Sequence, residues 1–202
     1  MLFDDTYKTI AAPAEGSFKD RGSRFLAFAF PVRTEDEIRI HLDALRKAHH
    51  GANHHCYAWR LGADKQRFRA NDDGEPSGTA GRPILGQLQS FDLTDVLVVV
   101  VRYFGGTLLG AGGLVQAYKA AAHEALAAAA VEERFVREVY SLTFAYPAMN
   151  AVMKLLKDFD AVQREQQFEM DCSLLFEVRR RDADALCEAL KKVETVNVVW
   201  KG

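Results

Sequence analysis

The stretch Val96–Tyr103 (VLVVVVRY) is the clearest buried strand in this chain. A continuous β-branched run of this length indicates a strand that is covered on both faces. The glycine-rich segment Phe104–Gly113 follows as a predicted turn, and helical spacing predicts an alanine-rich helix over Leu114–Ala130. Together with the elements described below, these elements predict a protein of the α+β class.

Further elements are predicted on the amino-terminal side of this strand. Strands are expected at Tyr7–Ile10, Gly16–Lys19, Arg24–Pro31 and Cys56–Leu61. The segment Thr34–Glu37 (TEDE) matches a capping box, and the helix that it opens should run to about His49. The polar segment Phe68–Gly81 predicts a loop, in which Thr79 is the expected N-cap of a short helix.

A charged break, Glu132–Arg137 (EERFVR), separates two organised halves and predicts domains of residues 1–132 and 133–202. The second half begins with an alternating strand over Glu138–Tyr146 and a helix opened by Pro147. Two strands, a helix capped by Asp182 and a last strand should follow. This order is βαββαβ, the ferredoxin-like plan.

Composition limits the classes of function. The 202 residues carry a net charge of −2, so any surface that binds a polyanion has to be local. No apolar run reaches the roughly 18 residues of a membrane span, and the early Asp4 and Asp5 argue against a signal peptide. Three cysteines without metal-type spacing fit a reducing compartment. A cytoplasmic protein without a membrane partner is therefore expected.

Ionisable side chains concentrate in His54–Trp59 (HHCYAW) and in Asn71–Pro83 (NDDGEPSGTAGRP). Histidines beside a cysteine suggest zinc, but no standard ligand spacing is present, so neither a metal nor another cofactor is predicted. The carboxylates of Asp72, Asp73 and Glu75 suit a general base or magnesium ligands, and they suit ordinary turn chemistry equally. Both interpretations stay open, and no catalytic residue is assigned.

The glycine-rich turn and its basic neighbours are the remaining candidates. Five glycines lie between the strand and the helix: Gly105, Gly106, Gly110, Gly112 and Gly113. Their backbone amides can cradle a phosphate at a helix N-terminus, or they can simply allow close packing, and the spacing matches neither a Walker A loop nor a dinucleotide fingerprint. A polyanion surface is expected from five side chains: Lys19, Arg21, Arg24, Arg82 and Arg102. Tyr103 and Phe104 would add stacking surfaces of the kind that RNA-binding proteins use, although arginines near aromatic rings are also common at protein interfaces.

Four motifs in this order resemble the IMPACT/YigZ family over residues 15–120: a basic Ser-Arg-Phe strand, HHCYAW, DDGEPSGTAGRP and VVVVRYFGGTLLGAGGLVQAY. The carboxy-terminal βαββαβ segment resembles the small domain of bacterial members. The resemblance implies that the first domain has the fold of the second domain of a small-subunit ribosomal protein and of domain IV of elongation factor G. The second domain would be similar to domain V of that factor.

The same resemblance implies a functional surface and a class of function. Eukaryotic members of the family regulate translation by binding a large activator of a stress kinase. The surface carried over to this sequence is Arg24, His54, His55, Asp72, Asp73, Glu75, Arg102, Tyr103, Gly105, Gly106, Gly110 and Gly113. No catalytic role, metal or cofactor comes with it.

The preferred hypothesis is a translation-linked regulatory binding protein, rather than an enzyme, that contacts RNA, the ribosome or a translation factor. The alternative is an enzyme acting on a phosphorylated small molecule, with Asp72 or Asp73 as base and the glycine-rich loop as phosphate cradle. A protein–protein adaptor anchored by Trp200 is a third hypothesis.

Overall fold

A computed structural model describes residues 5–202, which form two compact units. One unit is Tyr7–Arg134, and the other is Phe135–Gly202 with the described residues before Tyr7. Asp4, which entered the argument against a signal peptide, lies outside the described residues. Helices and sheets occur together, so the α+β class is confirmed.

The first unit is built on a five-stranded sheet of order β2-β3-β6-β4-β5, in which all neighbouring strands are antiparallel. The strands before residue 137 are β1 (Thr6–Ile10), β2 (Ala14–Asp20), β3 (Ser23–Pro31), β4 (His54–Leu61), β5 (Arg67–Asn71), β6 (Val96–Tyr103) and β7 (Val131–Phe135). The helices are α1 (Glu35–Ala48), α2 (Gly81–Ser90) and α3 (Gly110–Ala128). A separate two-stranded sheet pairs β1 with β7.

Strand β6 lies at the centre of the sheet, as its sequence predicts. Val96, Val98 and Val100 belong to the core that contains residues of α2 and α3. Leu97, Val99 and Val101 belong to the core that contains residues of α1. Because successive side chains of a strand point to opposite faces, the uninterrupted apolar run feeds both cores. The layers are therefore α1, the sheet, and then α2 with α3.

The capping box of α1 is confirmed. The Glu37 amide donates to the Thr34 hydroxyl at 3.2 Å, and the Glu37 carboxylate accepts from the Thr34 amide at 3.3 Å. Ile38, Leu42 and Leu45 are the buried residues of this helix, at the spacing of one helical face. The local sequence thus sets both where α1 begins and which face it buries.

Two predicted boundaries around the site are wrong. The segment Phe68–Gly81 is not a loop throughout, because β5 pairs with β4 from Arg67 to Asn71. Main-chain pairing at the sheet edge forms this strand, and its largely exposed side chains show no alternation that a sequence pattern could reveal. Helix α3 begins at Gly110 rather than at Leu114, so three of the five glycines lie in its first turn instead of in the turn before it.

The second unit has the element order strand, helix, strand, strand, helix, strand. Its elements are β8 (Arg137–Ala145), a 3-10 turn (Tyr146–Ala148), α4 (Met149–Asp158), β9 (Val162–Phe168), β10 (Asp171–Arg179), α5 (Arg180–Lys191) and β11 (Asn197–Trp200). The sheet order is β11-β8-β10-β9, with antiparallel neighbours throughout. The buried residues Leu142, Phe176 and Leu186 belong to one core formed by the sheet and its two helices.

Three details of the second half differ from expectation. The charged break Glu132–Arg137 holds the end of β7, whose residues alternate between exposed and half-buried. Tyr146 is exposed because the backbone leaves the strand for the 3-10 turn before that position. Asp182 lies in the first turn of α5, where a carboxylate is favourable, while Arg179 occupies the N-cap.

Within residues 5–202, no helix has the length and apolar character needed to cross a lipid bilayer.

Candidate functional site

An open cleft of about 440 Å³ lies on the α3 side of the sheet in the first unit. Its polar lining comes from the beginning of β4 and the residue before it, from the β5–α2 loop and from the end of β6: Asn53, His54, Glu75 and Arg102. Its apolar lining comes mainly from the turn before α3 and from that helix: Pro76, Phe104, Leu108, Leu109 and Leu114. We call this site the α3 cleft.

A buried ion pair forms the floor of the α3 cleft. Arg102 Nη1 donates to Glu75 Oε1 at 2.6 Å, and only 5% of Arg102 and 8% of Glu75 are exposed. The Tyr118 hydroxyl donates to the same oxygen at 2.7 Å. The Arg102 guanidinium also lies 5.4 Å and 5.6 Å from the ring centroids of Phe25 and Phe104. The charge of Arg102 is therefore balanced inside the protein.

Tyr118 and Cys56 continue this network into the core, and sequence reasoning missed Tyr118. The Cys56 thiol donates to the Tyr118 hydroxyl at 3.3 Å. Burial raises the pKa of Cys56 and of Tyr118 well above their usual values, so both groups stay protonated. A protonated, buried thiol is not a nucleophile. The sequence signal for Tyr118 was a lone tyrosine among alanines on the buried face of a helix.

The two histidines at the start of β4 face opposite sides of the sheet. His54 lies in the α3 cleft, with Nδ1 at 2.8 Å from the Asp73 carbonyl oxygen and Nε2 at 3.8 Å from Glu75 Oε1. Because a carbonyl only accepts, Nδ1 of His54 carries a proton. His55 is buried, and its backbone amide donates to Asp73 Oδ2 at 2.6 Å. Burial lowers the pKa of the His55 imidazole below its usual value.

The histidines and carboxylates do not converge on one point. Among residues 5–202, no group of three or more histidine, cysteine, aspartate or glutamate side chains has the geometry of a metal site. Asp73 is engaged by the backbone of β4, and Glu75 by Arg102 and Tyr118. The structure thus gives both of these carboxylates an internal partner.

Asp72 caps α2, a role that the sequence pattern assigned to Thr79. The Asp72 carboxylate accepts from three backbone amides, at 2.9 Å from Gly78, 3.0 Å from Ala80 and 2.8 Å from Gly81. The Thr79 hydroxyl instead donates to the Pro76 carbonyl oxygen at 2.6 Å. Asp72 lies nine residues before Gly81, the first residue of α2, so a capping pattern of adjacent residues does not include it.

The amide donors also set the charge state of Asp72. Burial by itself would raise the pKa of the carboxyl group, and the three amides together with the Arg82 charge outweigh it. The pKa therefore lies below its ordinary value, and Asp72 is ionised at neutral pH. A carboxylate held in this way is a structural clamp rather than an available base.

Asp72→Asn is expected to lower the free energy of unfolding by about 1–3 kcal/mol at pH 7, because charge-assisted hydrogen bonds to the helix start are lost. A lowered folded-state pKa gives stability that is present above the unfolded value of about 3.9 and lost as pH falls through the folded value. The deficit of the variant should therefore shrink in acid. Urea unfolding at pH 7 and at an acidic pH measures this deficit. The control is Asp64→Asn at an exposed position, where the carboxylate accepts from a single backbone amide. A deficit that is the same at pH 7 and at the acidic pH would contradict the role of ionised Asp72 as the cap of α2.

Close packing accounts for Gly105 in the glycine-rich turn. A Cβ atom on Gly105 would lie far inside 3.0 Å of the backbone of Gly22 and Ser23. The Gly105 amide donates to the Ser23 hydroxyl at 3.1 Å, which joins this turn to the β2–β3 turn. Gly110 starts α3 with a φ of +71°, a conformation that glycine adopts without strain.

A second feature lies on the α1 side of the same sheet. Lys19 pairs with Arg24 across β2 and β3, and Arg24 pairs with Tyr103 across β3 and β6. Side chains in register on antiparallel strands share a face, so these three form one row, which we call the Arg24 surface. The Arg24 guanidinium lies 5.0 Å from the Tyr103 ring centroid, and the Tyr103 hydroxyl lies 2.9 Å from His49 Nδ1.

The predicted single polyanion surface is therefore divided. Arg102 lies on the α3 side of the sheet, because it is adjacent to Tyr103 in β6 and points the opposite way. Arg21 donates to the Leu109 carbonyl oxygen at 3.0 Å and lies 3.5 Å from Asp20 Oδ1. Lys19 and Arg24 are exposed, and neither forms a salt bridge within the described part of the chain.

The comparisons with known proteins agree on one family. The Impact N-terminal domain model matches residues 21–126, which hold the α3 cleft and all of the Arg24 surface except Lys19. IMPACT family member YvyE of Bacillus subtilis is 33% identical over 183 residues, which cover 91% of this chain and 84% of that protein. IMPACT family member YigZ of Escherichia coli is 36% identical over 152 residues, 74% of each chain.

A solved structure is similar to this chain over nearly the whole length of both proteins. A crystal structure described as that of a hypothetical protein is 28% identical, with a TM-score of 0.78 over 98% of both chains. The family model covers more than half of the chain, and the named relatives cover most of it. The chain belongs to the IMPACT family.

Proposed function

We propose that this protein is a translation-linked regulatory binding protein that contacts RNA, the ribosome or a translation factor through the Arg24 surface. Membership of the IMPACT family supports the link to translation, since the members in eukaryotes regulate that process. The Arg24 surface is the observation that carries the binding proposal. Its two exposed cations, Lys19 and Arg24, form no salt bridge among the described residues, and the Arg24 guanidinium lies over the Tyr103 ring.

This arrangement suits a phosphate backbone with exposed bases. Unpaired Lys19 and Arg24 side chains can neutralise phosphates, and the Tyr103 ring beside them offers a stacking surface. The helix that contacts Tyr103 through its C-cap His49 also carries Arg46 and Lys47 in its last turn. Arg46 lies 3.9 Å from Asp43 Oδ1, so Lys47 is the cation of this turn without a salt bridge among the described residues.

The fold-level assignments belong to the same proposal. We take residues 1–132 as a domain related to domain IV of elongation factor G and to the second domain of a small-subunit ribosomal protein. We take residues 133–202 as a ferredoxin-like domain. The strand order β11-β8-β10-β9 with its two intervening helices supports the second assignment. The passage between the compact units at Arg134–Phe135 supports a boundary close to residue 132.

No contact among the described residues favours the alternative of an enzyme that acts on a phosphorylated substrate. Asp72 caps a helix, and Asp73 accepts from the β4 backbone, so neither carboxylate is a free base. Gly105 packs against the β2–β3 turn instead of opening a cradle.

Reversing the charge of Arg24 tests the binding proposal. Arg24→Glu is expected to weaken binding of single-stranded RNA about tenfold or more and to lower the dependence on salt by roughly one released counterion. Fluorescence anisotropy of a labelled oligonucleotide at two or more salt concentrations measures both. Lys119→Glu, an equal charge change on exposed α3, is the matched control. Equal affinity in the two variants would contradict a role of the Arg24 surface, and the melting temperature checks that both remain folded.

A further inference from the structure

We propose that the α3 cleft binds a small organic anion, a carboxylate that carries an apolar or aromatic body. The proposal concerns the opposite side of the sheet from the Arg24 surface, and it does not depend on the proposed function. Three features of the cleft carry it: an apolar wall, an incompletely paired buried arginine and the start of a long helix.

The wall of the cleft is apolar and partly open to solvent. Leu108 is 82% exposed and Phe104 is 44% exposed, although both are large hydrophobic side chains. Leu109 and Leu114 line the same space from α3 and the residue before it. A volume of about 440 Å³ is in the range of small-molecule sites. The wall therefore fits the apolar body of a compact ligand better than the sugar-phosphate backbone of a polymer.

The arginine at the floor of the cleft is incompletely paired. Arg102 uses Nη1 for Glu75, while its Nε is buried without a hydrogen-bond partner among the described residues. A guanidinium offers five N–H donors in a fork that matches a carboxylate, and an unpaired buried donor costs about 1–3 kcal/mol. Arg102 is 5% exposed and lines the cleft, so the small accessible part of its side chain is the cationic feature that a ligand carboxylate would meet.

The start of α3 adds positive potential at the same place. Gly110 and Ala111, the first residues of this 19-residue helix, line the cleft, and no side chain caps the helix start. Free amides at a helix N-terminus favour an anion. Glu75 is the sole carboxylate among the residues that line the cleft, and Arg102 already balances it. An added negative charge therefore meets the amides of the helix start beside a Glu75–Arg102 pair that carries no net charge.

Phenylacetate, phenylacetamide and inorganic phosphate separate the contributions of charge and apolar body. We expect phenylacetate to bind, with amide signals of Gly110 and Ala111 shifting in NMR titrations. We expect the neutral, nearly isosteric phenylacetamide to bind about tenfold more weakly, and phosphate alone to bind more weakly than phenylacetate. Equal affinities of phenylacetate and phenylacetamide would overturn the anion preference. Phosphate binding as strong as that of phenylacetate would overturn the role of the apolar wall.

Variants of an exposed residue locate the site without disturbing the core. Leu108→Glu is expected to weaken phenylacetate binding more than Leu108→Gln does, because both remove the apolar contact and the first also repels the anion. Arg24→Glu, on the other side of the sheet, should leave phenylacetate binding unchanged while it weakens RNA binding. A ligand with a dissociation constant in the millimolar range would occupy most sites at about 10 mM. The absence of any NMR shift at that concentration of phenylacetate would overturn the proposal. Loss through Arg24→Glu and not through Leu108→Glu would overturn it as well.

Discussion

Glu75→Gln is expected to lower the free energy of unfolding by about 3–5 kcal/mol, because it leaves the buried Arg102 charge without its counter-ion. The substitution keeps the shape of the side chain and removes only its charge. Arg102 lies 2.6 Å from the Glu75 carboxylate, and the same oxygen accepts from Tyr118. Neither partner can turn to solvent, since both are almost completely buried. Urea unfolding followed by circular dichroism measures the loss.

A surface ion pair provides the control for Glu75. Glu35 and Arg67 are 2.8 Å apart with more than half of each side chain exposed, so Glu35→Gln should cost less than about 1 kcal/mol. Combining Glu75→Gln with Arg102→Met should recover part of the stability, because the uncompensated charge is then gone. Similar small losses for Glu75→Gln and Glu35→Gln would contradict the assignment of a buried, structurally required pair.

Gly105→Ala is expected to cost about 3 kcal/mol or more, since the added methyl group meets backbone that cannot rotate away. The Cβ position lies far inside 3.0 Å of Gly22 and Ser23, and the β2–β3 turn would have to separate from the end of β6. For a protein of this size the loss corresponds to a fall in melting temperature of roughly 10 °C. Differential scanning calorimetry measures it.

Gly86→Ala is the matched control for Gly105. Gly86 lies inside α2, and an added Cβ would meet nothing within 4 Å. Removing a glycine from a helix interior should stabilise the protein by about 0.5–1 kcal/mol. Equal effects of the two substitutions would show that the contact between the two turns is not tight.

Features encoded by local sequence were predictable. Six of the seven buried residues of β6 form one apolar run, and the capping box at Thr34 and Glu37 spans four residues, so no distant part of the chain was needed to recognise either. The family motifs also include the segments that line the α3 cleft. In each case the physical signal lies within a single element.

Features that depend on distant residues were not predictable. Strand β5 exists because β4 pairs with it, and Asp72 reaches the start of α2 across a tight loop. The pairing of Glu75 with Arg102 joins a loop to the central strand, 27 residues further along the chain. A sequence motif marks such residues without stating whether they bind a ligand or hold the fold.

The distribution of the basic residues over the two faces of the sheet depends partly on local sequence and partly on distant residues. Strand alternation alone places Arg102 and Tyr103 on opposite faces, so their separation followed from the predicted strand. The placement of Arg24 beside Tyr103 required the register of β3 on β6. Only the structure shows that Arg102 is neutralised internally, while Lys19 and Arg24 remain available.

Co-sedimentation with ribosomes is the decisive test of translation-linked binding through the Arg24 surface. The native protein and Arg24→Glu are centrifuged with purified ribosomes at low and at high salt, with Lys119→Glu as the charge control. We expect the native protein and Lys119→Glu to pellet with ribosomes at low salt and to be released at high salt, while Arg24→Glu stays in the supernatant. A native protein that stays in the supernatant at low salt, or an Arg24→Glu variant that pellets like the native protein, would contradict it.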